Sequence, residues 1–355
     1  MGVTIMKHIS EIDSNFKVET KIDKPDLKFY DISEDPFQIY GIFWEEGKYR
    51  RMPAAVAESV SERVFALHSN TAGGRVRFKT DSPYIAIHAE MSQIGKMPHF
   101  ALTGSAGFDL YCAEYGYSGT FKPPFNIEDG YESVIEITNP GMHEYTINFP
   151  LYSAVSKLCI GLSETATVCK ADPYLTETPV VYYGSSITQG GCASRPGRTY
   201  QSILTRQFSC DHINLGFSGS AMGEKEIADY ISTLDMSVFV LDYDCNSPTP
   251  EHLQETHEPM YRKVRKAHPE LPIVILSRPF YYLTKENQMR LEIIRTTYRN
   301  AVESGDKNVY LIEGSTLLEM AGNEGSVDRI HPTDFGFASM AKAIADVLKQ
   351  ILPTP

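Results

Sequence analysis

The chain contains no run approaching the eighteen or so apolar residues of a membrane-crossing helix. Its opening stretch, Met1 to Asp26, is studded with Lys, Glu and Asp and lacks the apolar segment of a secretion signal. The chain as given is therefore expected to be soluble and without an export address. A cytoplasmic setting is favoured, with export open if a leader was removed. Tryptophan is nearly absent, with Trp44 alone. No P-loop, no G-x-G-x-x-G and no H-E-x-x-H occurs, which removes nucleotide-binding and zincin readings. The six cysteines, Cys112, Cys159, Cys169, Cys192, Cys210 and Cys245, show neither C-x-x-C nor zinc-ligand spacing. Free buried thiols are expected, and no metal or cofactor. Positive charge is also short: 33 Lys and Arg stand against 45 Asp and Glu, a formal net charge of −12. Such a surface repels phosphate backbones and anionic lipid, so neither nucleic acid nor a membrane is expected as partner.

What remains is an ordinary globular composition over 355 residues, a length that fits two domains better than one. From about Tyr30 to Glu164 apolar and polar residues alternate with the period of half-buried strands. Val76 and Phe78 alternate with Arg75, Arg77 and Lys79, then Ile85, Ile87, Ala89 and Met91 follow the turn at Asp81-Ser82-Pro83, and Tyr145, Ile147 and Phe149 repeat the pattern. Short strands parted by Gly, Pro and Asp turns predict an antiparallel sandwich.

From Pro179 the period changes. The strand-like runs Val180–Tyr183, His212–Leu215, Val238–Leu241, Ile273–Leu276 and Val309–Ile312 alternate with helical patterns such as Glu224–Leu234. This is the signature of a doubly wound, three-layer α/β domain with a parallel sheet. A last helix is expected over Asp334 to Leu352, capped by Thr333 or Asp334 and stopped by Pro353. The expected division is an extension over 1–29, a sandwich over 30–172 and an α/β domain over 178–355, with the boundary within Lys170–Glu177.

Four short motifs follow successive apolar runs: Gly184-Ser185-Ser186-Ile187-Thr188, Asn214-Leu215-Gly216-Phe217-Ser218-Gly219, Asp242-Tyr243-Asp244-Cys245-Asn246 and Asp328-Arg329-Ile330-His331-Pro332. In such sheets ligands bind beyond the carboxyl ends of the strands, where each motif falls. A serine on a strand-to-helix turn can be a nucleophile, and an Asp three residues before a His can orient the imidazole that takes its proton. The sequence Gly216-Phe217-Ser218-Gly219-Ser220 lacks the final Gly of an α/β-hydrolase elbow, which counts against Ser218. Cys192 and Cys245 are lesser candidates for the nucleophile, since neither has a base close in sequence.

The four blocks resemble those of the SGNH (GDSL-type) hydrolases, and Gly107-Phe108-Asp109-Leu110-Tyr111 matches the G-x-D-L-Y signature of a jelly-roll-like sandwich that precedes some of them. The resemblance covers nearly the whole chain. It implies a flavodoxin-like α/β hydrolase domain in which Ser186 is the nucleophile, His331 the general base and Asp328 its orienter. Ser186, Gly219 and Asn246 would supply the oxyanion hole. The chain departs from the pattern where Ser185 replaces an Asp of the first block, and where Asp244 and Ser247 replace the Gly and Asp that flank the third-block Asn.

Arg195, Asp244 and Arg278 stand near strand ends, where they could bind substrate or pair with one another, and a structural ion pair is the favoured reading. Trp44, Tyr182, Tyr183, Tyr281 and Tyr282 are candidates for a sugar-stacking wall, weighed against simple packing. His99, His143 and His268 read as surface loops. The expected activity is a serine esterase that removes short acyl groups, acetyl above all, from a small molecule or an oligosaccharide. A general aryl or short-chain lipid esterase and a catalytically impaired glycan-binding protein remain as alternatives. Nothing in the sequence gives an oligomeric state.

Overall fold

The computed structural model describes residues 9–13, 17–18, 21–280 and 284–355. Among these, no helix is long and apolar enough to cross a membrane. Twelve strands precede residue 170: β1 (Leu27–Asp31), β2 (Gln38–Tyr40), β3 (Phe43–Glu45), β4 (Lys48–Arg50), β5 (Arg75–Thr80), β6 (Tyr84–Gln93), β7 (Phe108–Cys112), β8 (Gly116–Phe121), β9 (Gly130–Glu136), β10 (His143–Asn148), β11 (Ala154–Ser163) and β12 (Val168–Cys169). Ten of them form one sheet in the order β1-β11-β6-β9 and another in the order β12-β5-β10-β7-β8, with β2 also pairing β5, while β3 and β4 pair as a separate ribbon. All these pairings are antiparallel. Val76, Phe78, Ile85, Ile87, Ala89, Met91, Tyr145, Ile147 and Phe149 share one buried core, as the alternation predicts.

Five further strands, β13 (Thr176–Gly184), β14 (Cys210–Gly216), β15 (Val238–Asp242), β16 (Ile273–Leu276) and β17 (Val309–Ile312), form a parallel sheet ordered β14-β13-β15-β16-β17. Each apolar run of the sequence is one of these strands. A strand covered on both faces must be apolar on both. On β13, Val181 and Tyr183 enter one core with Ile227, Leu253 and Ile294 of the helices on that face. Val180 and Tyr182 enter the opposite core with Leu204, Phe337 and Met340. Burial of each such side chain contributes roughly 1.5–3 kcal/mol. The direction of winding reverses between β13 and β15, which opens a crevice at their carboxyl ends.

The helix expected over Glu224–Leu234 spans Lys225–Ile231, and the last helix spans Asp334–Leu348 with Thr333 as its cap, accepting from the backbone N–H of Gly336. Two short helices, Ala54–Val60 and Glu62–Leu67, lie inside the segment expected to be all sandwich. Their Ala57 and Val64 join the core of the parallel sheet rather than that of the sandwich.

The alternation on β5 also acquires a different meaning. Arg75 and Arg77, on the polar face, are 1% and 5% exposed because that face meets the α/β half. Arg75 pairs with Asp211 and donates to the carbonyl of His212, while Arg77 pairs with Glu144 and stacks on Tyr174.

Candidate active site

The turn after β13 is tight because Gly184 has no side chain. A Cβ there would lie 2.1 Å from Thr188 Oγ1 and 2.4 Å from the carbonyl oxygen of Asp242. The chain then enters a one-turn helix, Ser186–Gln189, whose cap is Ser185: its Oγ accepts from the N–H of Ile187 at 3.2 Å. The Ser that replaces an Asp at this position thus retains an oxygen acceptor for a helix donor. Ser186 follows as the first helical residue, at the carboxyl end of β13.

His331 arrives from the other end of the chain. The segment before it turns at Arg329, in the left-handed region at φ 73°. Asp328 Oδ1 accepts from the backbone N–H groups of Ile330 (3.0 Å) and His331 (2.8 Å), which closes the turn. Its Oδ2 lies 2.7 Å from His331 Nδ1. The other imidazole nitrogen, Nε2, lies 2.9 Å from Ser186 Oγ. Despite the desolvation that would raise it, Asp328 is held down to about 2 by the donors of His331 and Ile330, so it remains ionised at any working pH.

Gly219 has φ +66° and open space where a Cβ would stand. A left-handed backbone requirement, not crowding, accounts for the glycine. The turn that carries it is held from two sides. Gln189 Oε1 accepts from the N–H of Ser218 at 2.9 Å, and Asn246 Nδ2 donates to the carbonyl of Phe217 at 2.9 Å. The same Gln189 donates through Nε2 to Asn70 Oδ1 and to the carbonyl of Leu151, so a buried amide ties the sandwich to the Gly219 turn.

Asp244 and Arg278, candidates for the substrate or for a structural ion pair, are directed at each other. Asp244 is 1% exposed; its Oδ2 accepts from the backbone N–H of Arg278 at 3.1 Å, and its carbonyl accepts from Arg278 Nη2 at 2.9 Å. Arg290, from the helix Lys285–Glu303, brings a second buried guanidinium 3.6 Å from Oδ1. A buried carboxylate requires such partners, and the cluster fixes the short turn Asp244–Asn246 that presents Asn246.

Arg195 is likewise spent in the seam between the two halves. It lies 3.5 Å from Asp109 Oδ2, donates to Tyr111 OH and stacks 3.8 Å from the ring centre of Tyr117. Asp109 also accepts from the backbone N–H of Gly197 at 2.8 Å and from Asn148 Nδ2 at 2.8 Å. The Asp and Tyr of the G-x-D-L-Y motif therefore grip the loop that follows the serine helix.

Of the aromatic candidates, Tyr182 and Tyr183 are buried in the sheet, Trp44 is exposed on the β3–β4 ribbon, and Tyr281 and Tyr282 lie outside the described residues. Burial pushes the thiol of Cys192 up to about 11 and that of Cys245 higher still, which leaves both as poor nucleophiles at neutral pH. Cys169 is exposed, against expectation. Sequence reasoning missed His99, whose exposed ring comes from the sandwich to 5.8 Å from that of His331, with Nε2 3.9 Å from Asp328 Oδ2. No local signal marks a contact between residues so far apart in the chain. His143, expected in a surface loop, opens strand β10 with its ring largely covered.

Residues 177–349 match the model of the GDSL-like lipase/acylhydrolase family, and residues 27–168 match that of the N-terminus of SGNH-hydrolase-type esterases. The chain belongs to the SGNH (GDSL-type) hydrolases and is an ester-bond hydrolase with a GxDLY-type sandwich at its N-terminal side. It is similar to a GDSL-like lipase from Bacteroides ovatus (28% identity, 92% of this chain and 99% of the other, TM-score 0.82). It also shares its fold with the salicylyl-acyltransferase SsfX3 of a tetracycline biosynthetic pathway (18% identity, 94% and 100%, TM-score 0.75). A third similar structure is an acetyl xylan esterase from the rumen bacterium Butyrivibrio proteoclasticus (11% identity, 91% and 98%, TM-score 0.58). No curated protein matches the sequence.

Proposed function

We propose that this hydrolase removes short acyl groups, acetyl above all, from hydroxylated substrates of the carbohydrate class through an acyl-enzyme on Ser186. The observation that carries the mechanism is the continuous path from Ser186 Oγ to His331 Nε2 at 2.9 Å and from His331 Nδ1 to Asp328 Oδ2 at 2.7 Å. As Ser186 Oγ attacks the ester carbonyl, its proton passes to Nε2, and the ionised Asp328 stabilises the imidazolium that forms. The negative oxygen of the tetrahedral intermediate is received by the N–H groups of Ser186 and Gly219 and by the Asn246 amide. One N–H of that amide is anchored on the carbonyl of Phe217, and the second is the one assigned to the oxyanion. The protonated His331 then gives its proton to the leaving alkoxide. Water, activated by the same imidazole, releases the acid.

The substrate class has separate support. Polar side chains stand beside His331: Asp328, with Oδ2 2.7 Å from its Nδ1, and His99, with ring centres 5.8 Å apart. The acidic chain suits a neutral sugar better than an anionic lipid surface. Structures that share the fold include carbohydrate esterases of family two, one of them in complex with cellohexaose.

Acetate release from acetylated xylo-oligosaccharides, measured beside hydrolysis of an aryl acetate, tests the proposal. The expected result is a kcat/KM at least tenfold higher on the sugar ester, with both activities lost in Ser186→Ala. Equal or better turnover of the aryl ester, with none of the sugar ester, would make the enzyme a general esterase.

A further inference from the structure

Strands β7 and β10 are paired antiparallel with Cys112 opposite Tyr145. The pairing continues past the end of β7, where the N–H of Ala113 donates to the carbonyl of Glu144 at 2.9 Å. The same register sets Glu114 opposite His143. In a strand, residues two apart share a face and directly opposed residues are neighbours. Cys112, Glu114 and His143 are thereby brought to one patch at the end of the sandwich, with no recognisable spacing in the sequence.

The three side chains offer a thiol sulfur, a carboxylate oxygen and an imidazole nitrogen, all within 4.8 Å of one another. Cys112 Sγ lies 3.0 Å from Glu114 Oε2, and His143 Nδ1 lies 3.6 Å from that same oxygen. Ligand atoms around a tetrahedral zinc ion stand roughly 3.4–3.6 Å apart, given bonds near 2.0–2.3 Å. The two spacings to Glu114 require only small adjustment, and the third, between Sγ and the imidazole, lies within 4.8 Å.

A second observation is independent of this grouping. Both ring nitrogens of His143 are buried and neither has a hydrogen-bond partner. The rings of Tyr115 and Tyr145 pack edge-on against the imidazole, with centroids 5.2 and 6.4 Å away, and the carboxylate of Glu114, 3.6 Å from Nδ1, stands beyond hydrogen-bond distance. Buried polar atoms of native proteins are almost always satisfied, and a bound ion is one of the few explanations for an imidazole with neither nitrogen satisfied.

We propose that Cys112, Glu114 and His143 form a binding site for a divalent transition-metal ion, and the mixed sulfur, nitrogen and oxygen donors select zinc. On binding, the thiol releases its proton to solvent. The thiolate and the carboxylate then balance the dication, and the neutral imidazole supplies the third bond. Water takes the fourth position. The ion pins the β7–β8 turn to β10, and β7 is the strand that carries Asp109 and Tyr111 to the seam. The site lies in the sandwich and takes no part in the chemistry proposed for Ser186.

The test is titration of metal-free protein with zinc chloride, followed by calorimetry and by thermal unfolding. A Cys192→Ser background is used, because His99, Cys192 and His331 also stand within 4.8 Å of one another. The expected result is one equivalent bound with micromolar or tighter Kd and a rise of several degrees in Tm. Cys112→Ser and His143→Gln each weaken binding at least thirtyfold and remove the rise. Glu114→Gln, at a half-exposed side chain, preserves the fold and weakens binding by a smaller factor. Cobalt(II) gives a near-ultraviolet thiolate charge-transfer band that Cys112→Ser abolishes. Unfolding profiles of each metal-free variant show that it is folded. Absence of zinc binding in the parent, or unchanged affinity in Cys112→Ser and Glu114→Gln, overturns the proposal. Neither result bears on ester hydrolysis at Ser186, which is read separately from acetate release.

Discussion

Asp109 of the sandwich accepts a hydrogen bond from the backbone N–H of Gly197, in the loop that follows the serine helix, at 2.8 Å. The carboxylate is fully buried, and a Cβ on Gly197 would stand 2.8 Å from Asp109 Oδ2. The loop backbone therefore has to come this close, and the buried acceptor holds it there. Replacing Asp109 with Ala leaves the Gly197 N–H and the Asn148 amide without their buried acceptor, and Arg195 without its carboxylate. The expected loss is about 2–4 kcal/mol of stability, with a matching fall in denaturation midpoint. Asp109→Asn retains one acceptor and is expected to lose less. Chemical denaturation of the two variants checks the order.

Removal of the negative charge from Asp328 tests its orienting role. Asp328→Asn leaves an acceptor for the backbone N–H groups of Ile330 and His331, so the turn and the fold are expected to persist. An amide can present its N–H to His331 Nδ1 and favour the wrong tautomer, so kcat is expected to fall about a thousandfold to ten-thousandfold. Steady-state kinetics on an aryl acetate, with Tm as control, decides the matter. Unchanged kcat would make Asp328 a turn residue only.

Asn246 has two tasks that can be separated. If its amide receives the oxyanion, Asn246→Ala lowers kcat about a hundredfold to a thousandfold with little change in KM. If the amide serves only to hold the carbonyl of Phe217, the variant loses stability and retains kcat. Kinetics and thermal unfolding of the same sample distinguish the two outcomes.

Stability is expected to depend on pH through Asp242, beneath the serine turn. Burial, with a further contribution from the nearby Asp244, pushes its carboxyl up to about 7, against donors from Thr188 and Tyr200. An unfolded Asp titrates near 4. Between these values the folded protein holds a proton that the unfolded chain has released, so this group's contribution to stability falls as pH rises from about 4 to about 7. Asp109, pushed up to about 6, acts in the same direction over a narrower window. Asp242→Asn removes one of these titrations. The variant's Tm relative to wild type is therefore expected to climb between pH 4 and pH 7, as calorimetric scans across that range will show. A constant difference would mean that Asp242 carries no shifted proton.

The parts of the molecule legible in its sequence are those decided by neighbours along the chain. Four of the five parallel strands announce themselves because their runs are apolar on both faces, the edge strand β14 carrying His212 and Asn214 on one of its faces, and the Asp328–His331 turn does so because three residues suffice to close it. Periodicity identifies which side of a strand its own sheet buries, but not what covers the other side. Arg75 and Arg77 read as solvent-facing, yet the α/β half lies over them. Ala57 and Val64 sit in a segment assigned to the sandwich, yet they complete the core of the parallel sheet. The pairing of Asp244 with Arg278 is within reach of the sequence, but Arg290, which shares the carboxylate with Arg278, lies in the middle of a later helix and gives no local sign of it. Pairing of β7 with β10 joins Glu114 to His143, and only that register reveals the cluster with Cys112.

The most direct measurement is intact-mass and peptide-mass analysis of the enzyme quenched during turnover of an aryl acetate. The expected result is one acetyl group per chain, located on Ser186 and absent from Ser186→Ala. Undiminished ester hydrolysis by Ser186→Ala, or an acetyl group carried by another side chain during turnover, would contradict the role assigned to Ser186.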